Sequence, residues 1–249
     1  MIEYSNQTRM LVSVDCVVIG FDGEDYKLLL IQRGFEPEKD KWSLMGGFLQ
    51  PSESLDEAAQ RILFELTGLR NVYMEQLHAF SHPNRDPVER VIGMTYFALI
   101  DIKQYAKQLC DHFQPNWFKM KSLPALIFDH QNMVDLTLKQ LRYKAALHPI
   151  LFELLPKKFT LPQLQILYEG LYDIPIDKRN FSRKVLSTGI ISRKQEKDKS
   201  KSKKGAYFYT LNQESYHAQF QRVLNFIPKN EIPPSVESDQ KDRAVLLEG

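Results

Sequence analysis

The chain has 249 residues, 43% hydrophobic and 26% charged, with a formal net charge of +2; this is a globular composition, long enough for one large domain or two ordinary ones. No apolar run reaches the ~18 residues a membrane helix needs, and Met1-Ile2-Glu3-Tyr4 does not open a secretory signal. The net charge hides an asymmetry: 16 Lys/Arg against 20 Asp/Glu in residues 1–156, 15 against 6 in 157–229, and 2 against 5 in 230–249, which excludes a uniformly charged surface and marks the middle stretch as a polyanion-binding module.

In chain order, β-branched and leucine runs at 11–19 and 27–31 flank a turn at 22–25 and predict two strands. Asp15 is a carboxylate in the otherwise apolar first run, and Gln32-Arg33 close the second. A third strand is expected over 44–49, around Gly46-Gly47, then a helix over 52–66 with Leu55, Ala58, Ala59, Ile62, Leu63 and Leu66 on its apolar side and a stop at Gly68. Strands at 72–80 and 91–100 follow, joined by a loop with Pro83 and Pro87, and a helical stripe runs over 131–147. One helix against mixed strands argues for an α+β sandwich. Cys16 and Cys110 lie far apart in apolar stretches and read as buried free thiols of a cytoplasmic protein; no Cys/His spacing suits zinc, and no cofactor or metal is expected.

Gly47, Glu53, Arg61, Glu65, Gly68 and Leu69 fall in register on the pattern G-x5-E-x7-R-E-U-x-E-E-x-G-U, and this segment resembles the Nudix hydrolase box. The resemblance implies hydrolysis of a diphosphate assisted by divalent cations on clustered glutamates. The positions matching the family's metal ligands hold Ile62, Glu65 and Leu66, so two of three carboxylates are aliphatic and no catalytic residue is assigned. Ile62 and Leu66, one turn apart, extend the apolar face, and Arg61 with Glu65 forms an ordinary i,i+4 pair. What remains is a pocket, for which Asp15, Gln32, Arg33, Trp42, His78, Arg85 and Tyr96 are the candidate ligand contacts. His130 is expected to start a helix rather than to bind anything.

The basic stretch opens with Thr160 and Gln163 as a capping box around Pro162, predicting a helix along Leu164, Leu167, Tyr168 and Leu171. Asp177 caps a second helix over 178–188 with Phe181 and Val185 inward, leaving Lys178, Arg179, Asn180, Ser182, Arg183 and Lys184 for the outer and flanking faces. Two strands, 190–193 and 207–211, enclose a Lys/Ser loop at 194–206, and Arg193, Lys194, Lys203 and Lys204 join the expected DNA contacts. Two helices, a tight turn and a basic hairpin form a winged helix-turn-helix, its second helix suited to a major groove. Phe181 and Tyr207 read as packing residues, and a closing helix from about Gln213 is expected.

Together the halves resemble the Nudix-related transcriptional regulators, with Arg85-Asp86-Pro87, Phe128-Asp129-His130, Leu154-Leu155-Pro156 and Asp177-Lys178-Arg179-Asn180-Phe181 among the recurring segments. The resemblance covers about residues 9–228 and implies a Nudix-like α/β/α sandwich followed by a winged helix-turn-helix; with the boundary put near Pro156 and a polar, acidic run after Glu231, the expected parts are the sandwich with trailing helix (1–156), the winged helix-turn-helix (157–229) and a mobile acidic tail (230–249). It also implies a homodimeric repressor on double-stranded operator DNA, with a small-molecule effector and no membrane. Within that family the chain resembles the Bacteroidetes L-arabinose branch, and loss of the metal carboxylates in an acidic domain suits a neutral sugar, whereas Arg33, Arg61, Arg85 and Arg90 suit a diphosphate; the alternatives are an ADP-ribose-sensing regulator of NAD metabolism, an active ADP-ribose pyrophosphohydrolase, or a protein-interaction adaptor.

Overall fold

A computed structural model describes residues 4–110, 113–200, 203–212 and 214–215. Two compact units divide the chain between Thr137 and Leu138, with the short segment Phe21–Tyr26 counted in the second. The boundary expected near Pro156 falls inside that second unit.

The first unit is a mixed sheet with helices. Strands β1 (Leu11–Phe21), β2 (Tyr26–Gln32), β3 (Trp42–Ser43), β4 (Met45–Phe48), β5 (Tyr73–Phe80), β6 (Val91–Asp101) and β7 (Asn116–Lys119) are joined by α1 (Leu55–Thr67) and the short α2 (Ile102–Tyr105); α3 (His130–Leu147) starts here and runs past the division. The sheet follows the order β3-β2-β1-β6-β5, with β4 paired antiparallel to β1 and β7 to β2. The strand expected over 44–49 is found as β4, preceded by the two-residue β3, and Leu44 between them donates its N–H to His130 Nδ1 at 3.2 Å. Strand β7 has no counterpart among the expected elements, since four residues carry too little periodicity.

Helix α1 begins at Leu55, three residues later than the sequence predicts, because Ser54 and Glu57 exchange both hydrogen bonds of a capping box and fix the start there. It stops at Gly68, whose φ of 79° is left-handed and where a Cβ would stand 2.3 Å from the Gln108 carbonyl oxygen. Its apolar face (Ala58, Ala59, Ile62, Leu63) closes a core with Val14, Cys16 and Val18 of β1, Leu29 and Ile31 of β2, and Tyr96, Ala98 and Ile100 of β6. Side chains alternate across a strand. With Val14 and Cys16 facing α1, Ser13, Asp15 and Val17 face the other way, and Asp15 there meets Arg85 and His130. Cys16 is buried, and its burial pushes the thiol pKa up. Cys110 is free but only half-buried, a correction to the expectation of two buried thiols.

The second unit holds β8 (Phe159–Thr160), α4 (Leu161–Tyr172), α5 (Lys178–Ser187), β9 (Ile191–Asp198) and β10 (Ala206–Leu211). The strands form the sheet β8-β10-β9. Thr160 and Gln163 close a second capping box. Between α4 and α5, Glu169 Oε1 accepts the Ile176 N–H at 2.9 Å while Gln165 donates to the Ile176 carbonyl at 3.0 Å, so both backbone groups of the turn are satisfied. Leu164, Leu167, Tyr168 and Leu171 of α4 bury against Phe181 and Val185 of α5, with the Tyr168 and Phe181 rings 5.5 Å apart. Tyr172 donates to the Arg142 carbonyl at 2.6 Å and Arg142 Nε donates to the Leu171 carbonyl at 2.8 Å, a reciprocal latch between α3 and α4. The wing strand β9 extends to Asp198 rather than ending at Arg193, so Lys194 stands on a strand and not in the loop. The closing helix and the acidic tail lie outside the described residues, apart from a helical Glu214-Ser215.

Candidate functional site

The box residues are built around one cation. Arg61 donates from Nη2 and Nε to the two Glu53 carboxylate oxygens at 2.6 and 2.8 Å, from Nη1 to Glu65 at 3.1 Å, and from Nη2 to the Phe48 carbonyl at 3.1 Å. The hydrogen bond from Arg61 is the main reason the Glu53 pKa is lowered. This network ties the strand β4 and the following loop to α1. Gly47 lets the backbone pass over the helix, since a Cβ there would lie 3.0 Å from Ile62 Cδ1. Ile62 is 2% exposed in the core and Leu66 packs against the same cluster. A divalent cation of the Nudix kind does not fit this helix: two ligand positions are aliphatic and the remaining carboxylate, Glu65, is engaged by Arg61. Among the described residues no group of three or more His, Cys, Asp or Glu is placed to hold a metal.

Beside the box lies a cavity of about 460 Å³ within the first unit. Of the pocket residues proposed from sequence, it brings together Asp15, Gln32, Arg33 and Arg85, and Leu66 of the box lines it too. Trp42, His78 and Tyr96 are not among its lining residues. Trp42 packs edge-on against Phe118, the exposed His78 against Phe80, and the buried Tyr96 donates its hydroxyl to Asp56 beneath α1. The cavity instead recruits Ser13, Gly46, His130 and four phenylalanines, Phe35, Phe48, Phe113 and Phe128. His130 does begin a helix, as expected, yet it also lines the cavity. The Gly46-Gly47 pair was the available signal: Gly46 stands opposite Asp15 in the β1–β4 register.

The cavity floor is polar and buried. Arg85, 5% exposed in its side chain, makes a bidentate pair with Asp129 at 2.8 Å for each bond and lies 3.6 Å from Asp15 Oδ2. Burial opposes the Arg85 charge, but the Asp129 hydrogen bonds and the surrounding Asp15, Asp129 and Asp86 carboxylates outweigh it, so the pKa is raised. Ser13 donates to Asp15 Oδ2 at 3.1 Å. His130 is held the other way. Burial, opposed by Asp15 and Asp129 and reinforced by Arg85 and Arg33, lowers its pKa. With Nδ1 accepting the Leu44 N–H, the neutral ring carries its proton on Nε2. At the rim, Phe35 and Phe48 are 61% and 51% exposed, and the Arg33 guanidinium rests 3.9 Å over the Phe35 ring.

In the second unit, α5 presents its basic side chains outward. Lys178, Arg179, Asn180 and Arg183 are exposed, Ser182 and Lys184 half-exposed, while Phe181 and Val185 anchor the helix. Asp177 caps it by accepting the Asn180 N–H at 2.8 Å. Arg193, Lys194, Lys203 and Lys204 are all exposed on the wing. Tyr207, read as a packing residue, is instead 37% exposed, its ring flanked by Arg193 and Lys197 at 4.7 and 4.4 Å. The aromatic face concentrates two cations on one side of the wing.

A cavity beside a Nudix-type helix, joined in one chain to a winged helix-turn-helix, defines a DNA-binding transcriptional regulator with a Nudix sensing domain. Comparison with known proteins agrees: residues 9–137 match the NUDIX domain and residues 151–211 the NrtR DNA-binding winged helix domain. One relative, the ADPR responsive transcriptional repressor NtrR of Acinetobacter baylyi, is 31% identical over 228 residues, covering 89% of this chain and 90% of its own. The ADP-ribose pyrophosphatase of Methanocaldococcus jannaschii is 34% identical over 126 residues, 51% of this chain and 74% of that enzyme. Shewanella oneidensis NrtR, solved in complex with a 27mer DNA, superposes with a TM-score of 0.75 at 28% identity, covering 85% of this chain and 98% of that one. The chain belongs to the NrtR family of transcriptional repressors. Among the described residues no helix is long and apolar enough to cross a membrane.

Proposed function

We propose that this protein is an ADP-ribose-responsive repressor whose Nudix domain binds its effector without hydrolysing it and whose α5 reads operator DNA as a homodimer. The observation that carries the reading is the cavity lined by Leu66, where an active Nudix helix needs a carboxylate, in a chain related over nearly its full length to an ADPR responsive repressor. The sugar branch expected from the sequence has less support than its alternative. The comparisons favour ADP-ribose over L-arabinose, and a cavity of about 460 Å³ with an aromatic rim is in the range of drug-sized ligands, with room well beyond a pentose. Arg33, at the rim, supplies a cation for a diphosphate in place of a metal.

On the DNA side, Arg179, Asn180 and Arg183 contact base edges in a major groove, Lys178, Ser182 and Lys184 flank them, and Arg193, Lys194, Lys203 and Lys204 contact phosphates. A two-fold dimer places two such helices on a palindromic site. The test is a titration of operator binding by fluorescence anisotropy with ADP-ribose or L-arabinose present, alongside a hydrolysis assay with Mg²⁺. ADP-ribose is expected to change operator affinity and to be recovered intact. An operator response to L-arabinose alone, or rapid Mg²⁺-dependent cleavage of ADP-ribose, overturns the reading.

A further inference from the structure

The floor of the cavity holds an acceptor and a donor that satisfy nothing within the protein. Asp15 is 7% exposed in its side chain. Its Oδ2 is served by Ser13 and faces Arg85, but the nearest donor to Oδ1 is His130 Nε2 at 3.8 Å, too far for a hydrogen bond. Asp15 and His130 both line the cavity, so a carboxylate oxygen with no donor from the protein is open there to a ligand or water that completes it. Gly46 keeps the space clear: a Cβ there would stand 2.5 Å from that same Oδ1.

We infer that Asp15 Oδ1 and His130 Nε2–H together read a free hydroxyl on the terminal pentose of the effector, so that this chain recognises a ribosyl group by its unsubstituted hydroxyls. One oxygen atom placed ~2.8 Å from each of two groups 3.8 Å apart donates its proton to Oδ1 and accepts the Nε2–H. A hydroxyl alone among common sugar substituents has both capacities. A phosphate oxygen at neutral pH lacks a proton to donate and is repelled by Asp15, and an ammonium cannot accept from Nε2–H. The neutral state of His130 keeps one donor and one acceptor on the ring, and the acceptor is already taken by the Leu44 N–H. The gradient of the cavity sets the direction of the ligand, with exposed Phe35 and Phe48 at the rim offering flat faces to a base and the buried polar floor receiving the sugar.

This inference rests on the effector reading of the cavity, and the two are separable. Calorimetric titration of the full chain with ADP-ribose, with ADP (which lacks the terminal pentose) and with L-arabinose is run on the wild type, Asp15→Asn and His130→Asn. In His130→Asn the new amide oxygen can still accept the Leu44 N–H, while the shorter side chain cannot reach the position of Nε2. Wild type is expected to bind ADP-ribose at least about tenfold more tightly than ADP, and each variant to lose about tenfold or more for ADP-ribose with ADP affinity within about twofold. Equal wild-type affinity for ADP and ADP-ribose, or folded variants that bind ADP-ribose like wild type, overturns the hydroxyl site and leaves the ADP-ribose effector standing. Binding of L-arabinose but not ADP-ribose, lost in both variants, does the reverse. Wild type that binds none of the three sinks both. If Asp15→Asn fails to fold, His130→Asn alone decides by the same criteria.

Discussion

Arg183 donates from Nη2 to Asn180 Oδ1 at 2.9 Å, one turn apart on the exposed side of α5. Two side chains suited to base edges are therefore held as one unit before any DNA arrives, and the ordering of the long arginine side chain is partly complete in the free protein. We predict that Asn180→Ala and Arg183→Ala each weaken binding to a selected operator by about 1–3 kcal/mol while random duplex is bound as before. A double-mutant cycle on the operator is expected to show coupling of at least about 0.5 kcal/mol between them. Strict additivity would mean that the pair is not read together.

Charge on the wing acts differently. Arg193, Lys194, Lys203 and Lys204 are exposed, and phosphate contacts add affinity without sequence information. Replacing Lys194, Lys203 and Lys204 with alanine is expected to weaken operator and random duplex alike, and to flatten the slope of log K against log salt by about 0.9 for each lysine that contacts a phosphate. Anisotropy titrations between low and moderate salt measure this directly, and an unchanged slope removes the wing from the interface.

The close approach of Gly46 to Asp15 gives a third test. A methyl group at residue 46 would stand 2.5 Å from Asp15 Oδ1, and the short aspartate side chain must turn away from the cavity to admit it. Gly46→Ala is expected to reduce effector affinity by about tenfold, measured by calorimetry, while operator binding in the absence of effector stays within about twofold.

The Nudix helix has traded ligands for packing. Ile62 is 2% exposed beneath the sheet, so Ile62→Glu places a carboxylate in the core and is expected to cost several kcal/mol, seen as a fall in the denaturation midpoint. Leu66→Glu, at the half-buried position lining the cavity, is expected to be much better tolerated in the same measurement.

His130 links pH to stability. Burial lowers its pKa below the ordinary value of 6.5, so the unfolded chain takes up the proton first as pH falls. Its contribution is complete above about pH 6.5 and declines as pH drops from there toward the lowered folded value. Chemical denaturation at about pH 7.5 and about pH 5.5, on either side of that ordinary value, is expected to show a smaller pH-dependent loss for His130→Asn than for wild type. Equal losses would mean the imidazole titrates freely in the native state.

Local chemistry made much of this legible in advance. The capping box at Thr160, the stop at Gly68 and the cap at Asp177 are interactions within a few residues, so their spacing in the chain is already their spacing in space. Arg61 and Glu65 meet for the same reason, and the division into an acidic body and a basic module needs only counting. The cavity could not be read this way. Asp15, Arg85 and His130 are separated by 70 and 45 positions, and they converge only because β1 alternates, Gly46 leaves room opposite it, and Leu44 donates its N–H to His130. Trp42, His78 and Tyr96 have suitable chemistry but are directed elsewhere by strand pairing and core packing, which no local pattern encodes. Residue types and short spacings determined the elements and the polarity of each half; which side chains share a cavity was decided by long-range pairing and packing, which bring together residues far apart in the chain.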